Sequence, residues 1–128
     1  MDSNESISIV RRFNEALNAA DVNTMMSLLT EDTVFENTDP PPDGTRFEGK
    51  AQVRQFWKQF FRGSSAAHID VEEIFAFEDR CVMRWTYQWT DPHGTASPTE
   101  IFGGHIRGVD VYRLRDGLIA EKLSYVKG

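Results

Sequence analysis

The sequence predicts an α+β domain, helices first and antiparallel strands after them, on three observations. Apolar residues recur at helical spacing through the first half, with Val10, Phe13 and Leu17 on one stripe and Val53, Phe56, Trp57, Phe60 and Phe61 on another. From His68 onward they alternate with a period of two, and the runs are joined by short turn signals. The length of 128 residues fits one domain, 1–128, with 40% hydrophobic and 12% aromatic residues to fill a core.

The elements follow in order. Asp2 and Glu5 are spaced as a capping box ahead of a first helix that runs from Ile7 to Ala20. Asp21 caps a short second helix burying Val22, Met25, Met26 and Leu29, and Thr33 to Asn37 reads as a short strand. Thr38 to Gly49 carries Pro40, Pro41 and Pro42 with Gly44, so it reads as loop throughout. A third helix begins near Lys50 and ends at Gly63. His68 to Phe77 and Arg80 to Thr90 form a hairpin turning at Glu78-Asp79. A loop with Pro92, Gly94 and Pro98 leads to the strand Ile101 to Leu114, where Gly103-Gly104 marks a bulge. Arg115-Asp116-Gly117 then turns the chain into a last strand, Leu118 to Val126.

Composition excludes several classes. A net charge of −6 gives no electrostatic reason to bind nucleic acid. No stretch approaches the ~18 apolar residues of a membrane span, and the polar start lacks a signal-peptide pattern, so the expectation is a cytoplasmic protein without a membrane partner. Cys81 is the lone cysteine and sits in a strand, which makes it a small core residue. His68, His93 and His105 show no metal-ligand spacing, and no phosphate loop or nucleophile elbow is present, so neither metal nor cofactor is expected.

Strand alternation singles out one carboxylate. In the strand ending at Leu114, residues Ile106, Gly108, Asp110, Tyr112 and Leu114 share the apolar face. Asp110 therefore stands among core-facing side chains, where an ionised group requires a partner or a wet cavity. In the preceding strand Met83, Trp85, Tyr87 and Trp89 share one face, enough aromatic surface to fill a core or to line a pocket. Two readings of Asp110 stay open on this pattern: a poised acid or base, or a structural carboxylate tied to Lys122 or to a backbone donor.

Three stretches then carry a family resemblance: Val10-Arg11-Arg12-Phe13-Asn14-Glu15-Ala16-Leu17-Asn18, Gly49-Lys50-Ala51-Gln52-Val53-Arg54-Gln55-Phe56-Trp57, and Gly108-Val109-Asp110-Val111-Tyr112-Arg113 with Asp116-Gly117-Leu118-Ile119. In this order they resemble the nuclear transport factor 2-like superfamily, in its SnoaL-like and ketosteroid-isomerase-like branch. The resemblance implies a cone: a curved antiparallel sheet wrapped around three N-terminal helices, a cystatin-like α+β roll with an apolar pocket, assembled as a homodimer. It assigns the face bearing Arg84, Thr86 and Gln88 to the interface.

It also implies the site. Asp110 takes the place of the steroid isomerases' protonated acid, Phe13 and Trp57 stand where those enzymes have tyrosines, and the general-base place falls on Asn37, with Glu36 and Asp39 as neighbouring carboxylates. Lys122 and Ser124 point inward from the last strand, where epoxide hydrolases and polyketide cyclases of this fold carry acids or histidine. The pocket wall is then Phe13, Leu17, Trp57, Met83, Trp85, Tyr87 and Tyr112. The expected function is a cofactor-independent isomerase, cyclase or dehydratase acting by acid–base chemistry on a small apolar carbonyl compound. The alternative is a ligand-binding or accessory module without catalysis.

Overall fold

Helix starts are set by side-chain caps. In the computed structural model, which describes residues 2–63, 68–89 and 104–127, Asp2 accepts the Glu5 amide at 2.8 Å and opens α1 (Ser3–Asn18). Asp21 does the same for the Thr24 amide at the start of α2 (Val22–Ser27). The first helix starts earlier and stops earlier than its apolar stripe suggests, because the cap lies outside the stripe and Ala20 turns to a φ of 55°.

Two strands precede the third helix. β1 (Leu29–Glu36) begins four residues ahead of the expected Thr33, since Leu29 and Thr30 are both buried and break the alternation. The segment Thr38 to Gly49 is not loop throughout: Arg46–Glu48 forms β2, pairing antiparallel with β1. Gly44 is required in the intervening turn, because at its φ of 74° a Cβ would lie 1.9 Å from the Asn37 carbonyl oxygen. Then come α3 (Lys50–Gly63), β3 (His68–Phe77), β4 (Arg80–Trp89), β5 (Gly104–Arg115) and β6 (Leu118–Val126). The expected Pro92–Pro98 loop, Thr90 and the stretch from Ile101 to Gly103 lie outside the described residues, as does the Trp89 side chain.

The six strands form one curved, unclosed sheet in the order β2-β1-β6-β5-β4-β3. All pairings but one are antiparallel; β1 runs parallel to β6, a contact between segments far apart in the chain that no hairpin signal announces. α1 is fastened to β3 by two asparagines one turn apart: Asn14 and Asn18 both donate to the Ile69 carbonyl, and Asn18 accepts the Ile69 amide at 2.8 Å. Between helices and sheet lie Val10, Phe13, Leu17, Met25, Met26, Val53, Trp57, Met83, Tyr112 and Ile119. Cys81 belongs to this core, and burial pushes its thiol up to about 11. Among the described residues no helix is long and apolar enough to cross a membrane.

Two bulges decide which side chains reach which face of the sheet. Between Val71 and Glu73 the β3–β4 register shifts, which turns Glu72 and Glu73 both to the outer face. On β6 the partners of Arg113 and Leu114 are Glu121 and Ile119, so Ala120 is the extra residue. Ile119 and Ala120 are both buried, and from there Lys122 and Ser124 fall on the inner face.

Candidate functional site

Lys122 and Asp110 form the centre of the site, and strand register places them. On β5 and β6, Asp110 faces Ser124 and Tyr112 faces Lys122, so Asp110 and Lys122 are diagonal neighbours on the inner face. On its other side Lys122 faces Phe35 of β1. Lys122 Nζ stands 3.3 Å from Asp110 Oδ2, donates to Ser124 Oγ at 3.0 Å, and lies 4.5 Å from the centre of the Phe35 ring. Asp110 is 2% exposed and Lys122 7%. Such a pair persists in a low-dielectric interior only because each charge has the other and further donors or rings around it.

Tyr112 completes the group. Its hydroxyl donates to Asp110 Oδ2 at 3.3 Å, and burial, with the Asp110 carboxylate beside it, holds the phenol well above its ordinary range and therefore protonated. Asp110 Oδ2 thus receives a phenol and faces an ammonium, while Asp110 Oδ1 is buried with no hydrogen-bond partner among the described residues.

Around this group is a cavity of about 310 Å³. Its polar end is Asp110, Lys122 and Ser124; its walls are Phe35 of β1, Phe56, Trp57 and Phe60 of α3, Ile69 of β3, and Trp85 and Tyr87 of β4. Asn37, Thr38, Asp39 and Ile106 also line it, and the exposure of Asp39 and Ile106 marks where it meets solvent. The rings brace one another: Trp57 stacks on Phe35 at 5.4 Å and on Phe61 at 5.8 Å, and meets Phe56 edge to face. The indole N–H groups of Trp57 and Trp85 are buried without a hydrogen-bond partner among the described residues. Trp85 owes its position to Gly108, where a Cβ would come within 2.5 Å of the indole ring.

The expected site residues divide into two sets. Asp110, Asn37, Asp39, Trp57, Trp85, Tyr87, Lys122 and Ser124 line the cavity. Phe13, Leu17 and Met83 do not: they are packed in the core, with Phe13 edge-on to Tyr112 at 6.5 Å. Tyr112, also expected in the wall, is 1% exposed and acts on Asp110 instead. Glu36 is turned away to Arg46, at 2.8 Å. Asn37 is committed as a loop tie, its Oδ1 accepting the Thr45 amide at 2.7 Å and the Asp39 amide at 3.3 Å. Asp39 is therefore the second carboxylate at the cavity. Sequence reading passed over Phe35, Phe56, Phe60, Ile69 and Ile106 as wall residues, although the α3 stripe held the signal for two of them.

Comparison with known proteins agrees with this architecture. An NTF2-like protein of unknown function from Mesorhizobium loti shares 34% identity and superimposes with a TM-score of 0.80, covering 98% of this chain and 93% of that one. A candidate ketosteroid isomerase from Kribbella flavida (16% identity, TM-score 0.77, covering 99% and 81%) shares the fold. So does an LEH-like epoxide hydrolase from M. tuberculosis (20% identity, TM-score 0.76, covering 98% and 84%). No curated protein matches the sequence. The SnoaL-like domain family matches residues 10–122, from Val10 in α1 to the lysine diagonal to Asp110, and the chain belongs to that family, within the NTF2-like superfamily.

Proposed function

We propose that this single domain binds a small, largely apolar carbonyl compound in the aromatic cavity and moves a proton next to the carbonyl group. The observation that carries the reading is the juxtaposition of Asp110, with one oxygen unpartnered among the described residues, and Lys122, 3.3 Å away, at the polar end of an otherwise apolar chamber. Asp110 takes the proton from the carbon beside the carbonyl, Lys122 faces the carbonyl oxygen with positive charge, and Tyr112 holds the carboxyl in place. Asp39 at the mouth is the group to which the proton is handed. The isomerase and polyketide-cyclase names among the fold neighbours are in keeping with such chemistry.

The test uses 2-acetylnaphthalene in deuterated water. Binding is read from quenching of Trp57 and Trp85, and proton abstraction from deuterium uptake into the acetyl methyl group by NMR. Asp110→Asn should lower the exchange rate by about 10²–10⁴-fold while quenching persists. Quenching with no exchange above background in the wild-type chain would leave the non-catalytic binding module as the function.

Assembly as a homodimer through the outer sheet face is part of the proposal. Phe75, Val82, Val111 and Leu123 face one another across four strands and make an apolar row there, Phe75 being 52% exposed. Arg84, Glu72, Glu73 and Arg107 edge it with both signs of charge. Phe75→Glu should turn a dimer into a monomer in light scattering. A buried single cysteine is in keeping with the cytoplasm as setting.

A further inference from the structure

Lys122 is built to do more than attract an oxygen. Most lysines on a domain of this size are solvated. Lys122 is 7% exposed, lies on the cavity wall, and has the Phe35, Trp57 and Tyr112 rings centred 4.5, 5.7 and 6.0 Å from its Nζ. Among the described residues its polar partners are one hydroxyl, Ser124 Oγ, and one carboxylate oxygen, Asp110 Oδ2. With Asp110 Oδ2 3.3 Å from Nζ, a proton can pass directly between the lysine and the aspartate, with no intervening group. Tyr112 donates to the same carboxyl and keeps it oriented, while Asp110 Oδ1 has no partner among the described residues and can serve a bound molecule.

We propose that Lys122 is a covalent nucleophile that forms an imine with an apolar aldehyde or ketone, with Asp110 as its proton shuttle. This deepens the carbonyl reading above and rests on it. The ammonium of Lys122 passes a proton to Asp110, and the freed amine lone pair attacks the carbonyl carbon. The C–N bond forms as the carbonyl π pair moves to oxygen, and proton transfer from nitrogen to oxygen gives the neutral carbinolamine. Asp110 returns its proton to that hydroxyl, the C–O bond breaks, and water leaves. The product is a protonated imine on Lys122 beside a regenerated Asp110 carboxylate, one water having been lost overall. The imine nitrogen then withdraws electrons from the neighbouring carbon more strongly than a hydrogen-bonded carbonyl does, and the carboxylate that removes the proton is already in contact.

The test traps the imine in the unmodified protein. 2-Naphthaldehyde is incubated with the chain and sodium cyanoborohydride, which delivers hydride to the imine carbon and leaves a stable secondary amine. The mass should rise by that of the aldehyde less one oxygen, and peptide mapping should place the adduct on Lys122 ahead of the more accessible Lys50, Lys58 and Lys127. Asp110→Asn should slow labelling at Lys122 by about 10²-fold, and Lys122→Arg should abolish it while the other lysines label unchanged. Quenching of the wall tryptophans with no adduct at Lys122 would overturn the covalent step and leave the pocket reading standing. Labelling spread over the other lysines with no quenching would overturn both.

Discussion

Replacing Lys122 by methionine keeps an unbranched, flexible side chain one atom shorter and removes its charge, so it tests what the ammonium does for Asp110. The two charges are 3.3 Å apart, and at an effective dielectric of about 20 they attract by about 5 kcal/mol. The cost of the substitution is set less by that attraction than by what remains: a carboxylate 2% exposed, with the Tyr112 phenol as its one donor among the described residues. Breaking a buried pair from one side costs about 3–5 kcal/mol. For a urea m-value of roughly 1.5–2 kcal/mol/M, the midpoint of unfolding should fall by roughly 2 M with the slope unchanged. Adding Asp110→Asn to Lys122→Met removes the stranded charge and should recover most of the loss, so the double-mutant cycle should show a coupling of about 2 kcal/mol or more. The reasoning fails if Lys122→Met costs under about 1 kcal/mol, or if the double variant is as unstable as the two single changes added together.

Three further outcomes come from the same contacts. Gly108→Ala places a Cβ 2.3 Å from the Tyr125 carbonyl oxygen and 2.5 Å from the Trp85 ring; the crowding should cost about 1–3 kcal/mol and shift tryptophan emission as Trp85 is displaced. Tyr112, held protonated by burial and by Asp110, has a folded value above its unfolded one, so its contribution is complete below pH ~10 and is lost as pH rises beyond that. Tyr112→Phe should cost about 1–2 kcal/mol at neutral pH and flatten the alkaline limb of a stability profile measured by urea melts. On the outer face, hydrogen bonds from Arg107 and Thr86, with the charges of Arg107 and Arg84, hold Glu72 down to about 2. A lowered carboxylate stabilises above its unfolded value near 4 and loses that effect as pH falls through about 2. Glu72→Gln should therefore soften the acid limb, and because these groups are solvated, molar salt should erase most of the difference.

Most of the fold was legible because each long strand keeps one face apolar, and a period of two survives any uncertainty about ends. β3, β4 and β6 appear where alternation and turn residues place them. What alternation cannot show is a strand too short to alternate, as with Arg46–Glu48 between Gly44 and Gly49, or a parallel pairing between segments far apart in the chain. Asp110 was legible as a buried carboxylate for the same reason. Alternation alone could not give the direction of Lys122, which the resemblance supplied, because the extra Ala120 resets the parity of β6 after two consecutive buried residues. Tyr112 was placed on the inner face, and the structure sets it against Asp110 rather than in the cavity lining. Two residues apart on one strand, a phenol and a carboxylate lie side by side, and that spacing was the signal. Phe13, Leu17 and Met83 look the same in sequence as true wall residues, since depth beneath a cavity has no period.

The hydrogen-bonded ladder between β5 and β6 has a consequence for how this protein can change. Asp110, Tyr112, Lys122 and Ser124, the buried polar cluster, sit on those two neighbouring strands in the middle of the sheet, whereas Phe56, Trp57 and Phe60 enter from a helix laid across it. The polar cluster and the aromatic wall that α3 supplies are thus encoded in different parts of the chain. Trimming Phe56 or Phe60 reshapes the chamber without disturbing the strand pairing that sets Lys122 beside Asp110, so the outline of the cavity can change while its polar end stays as it is.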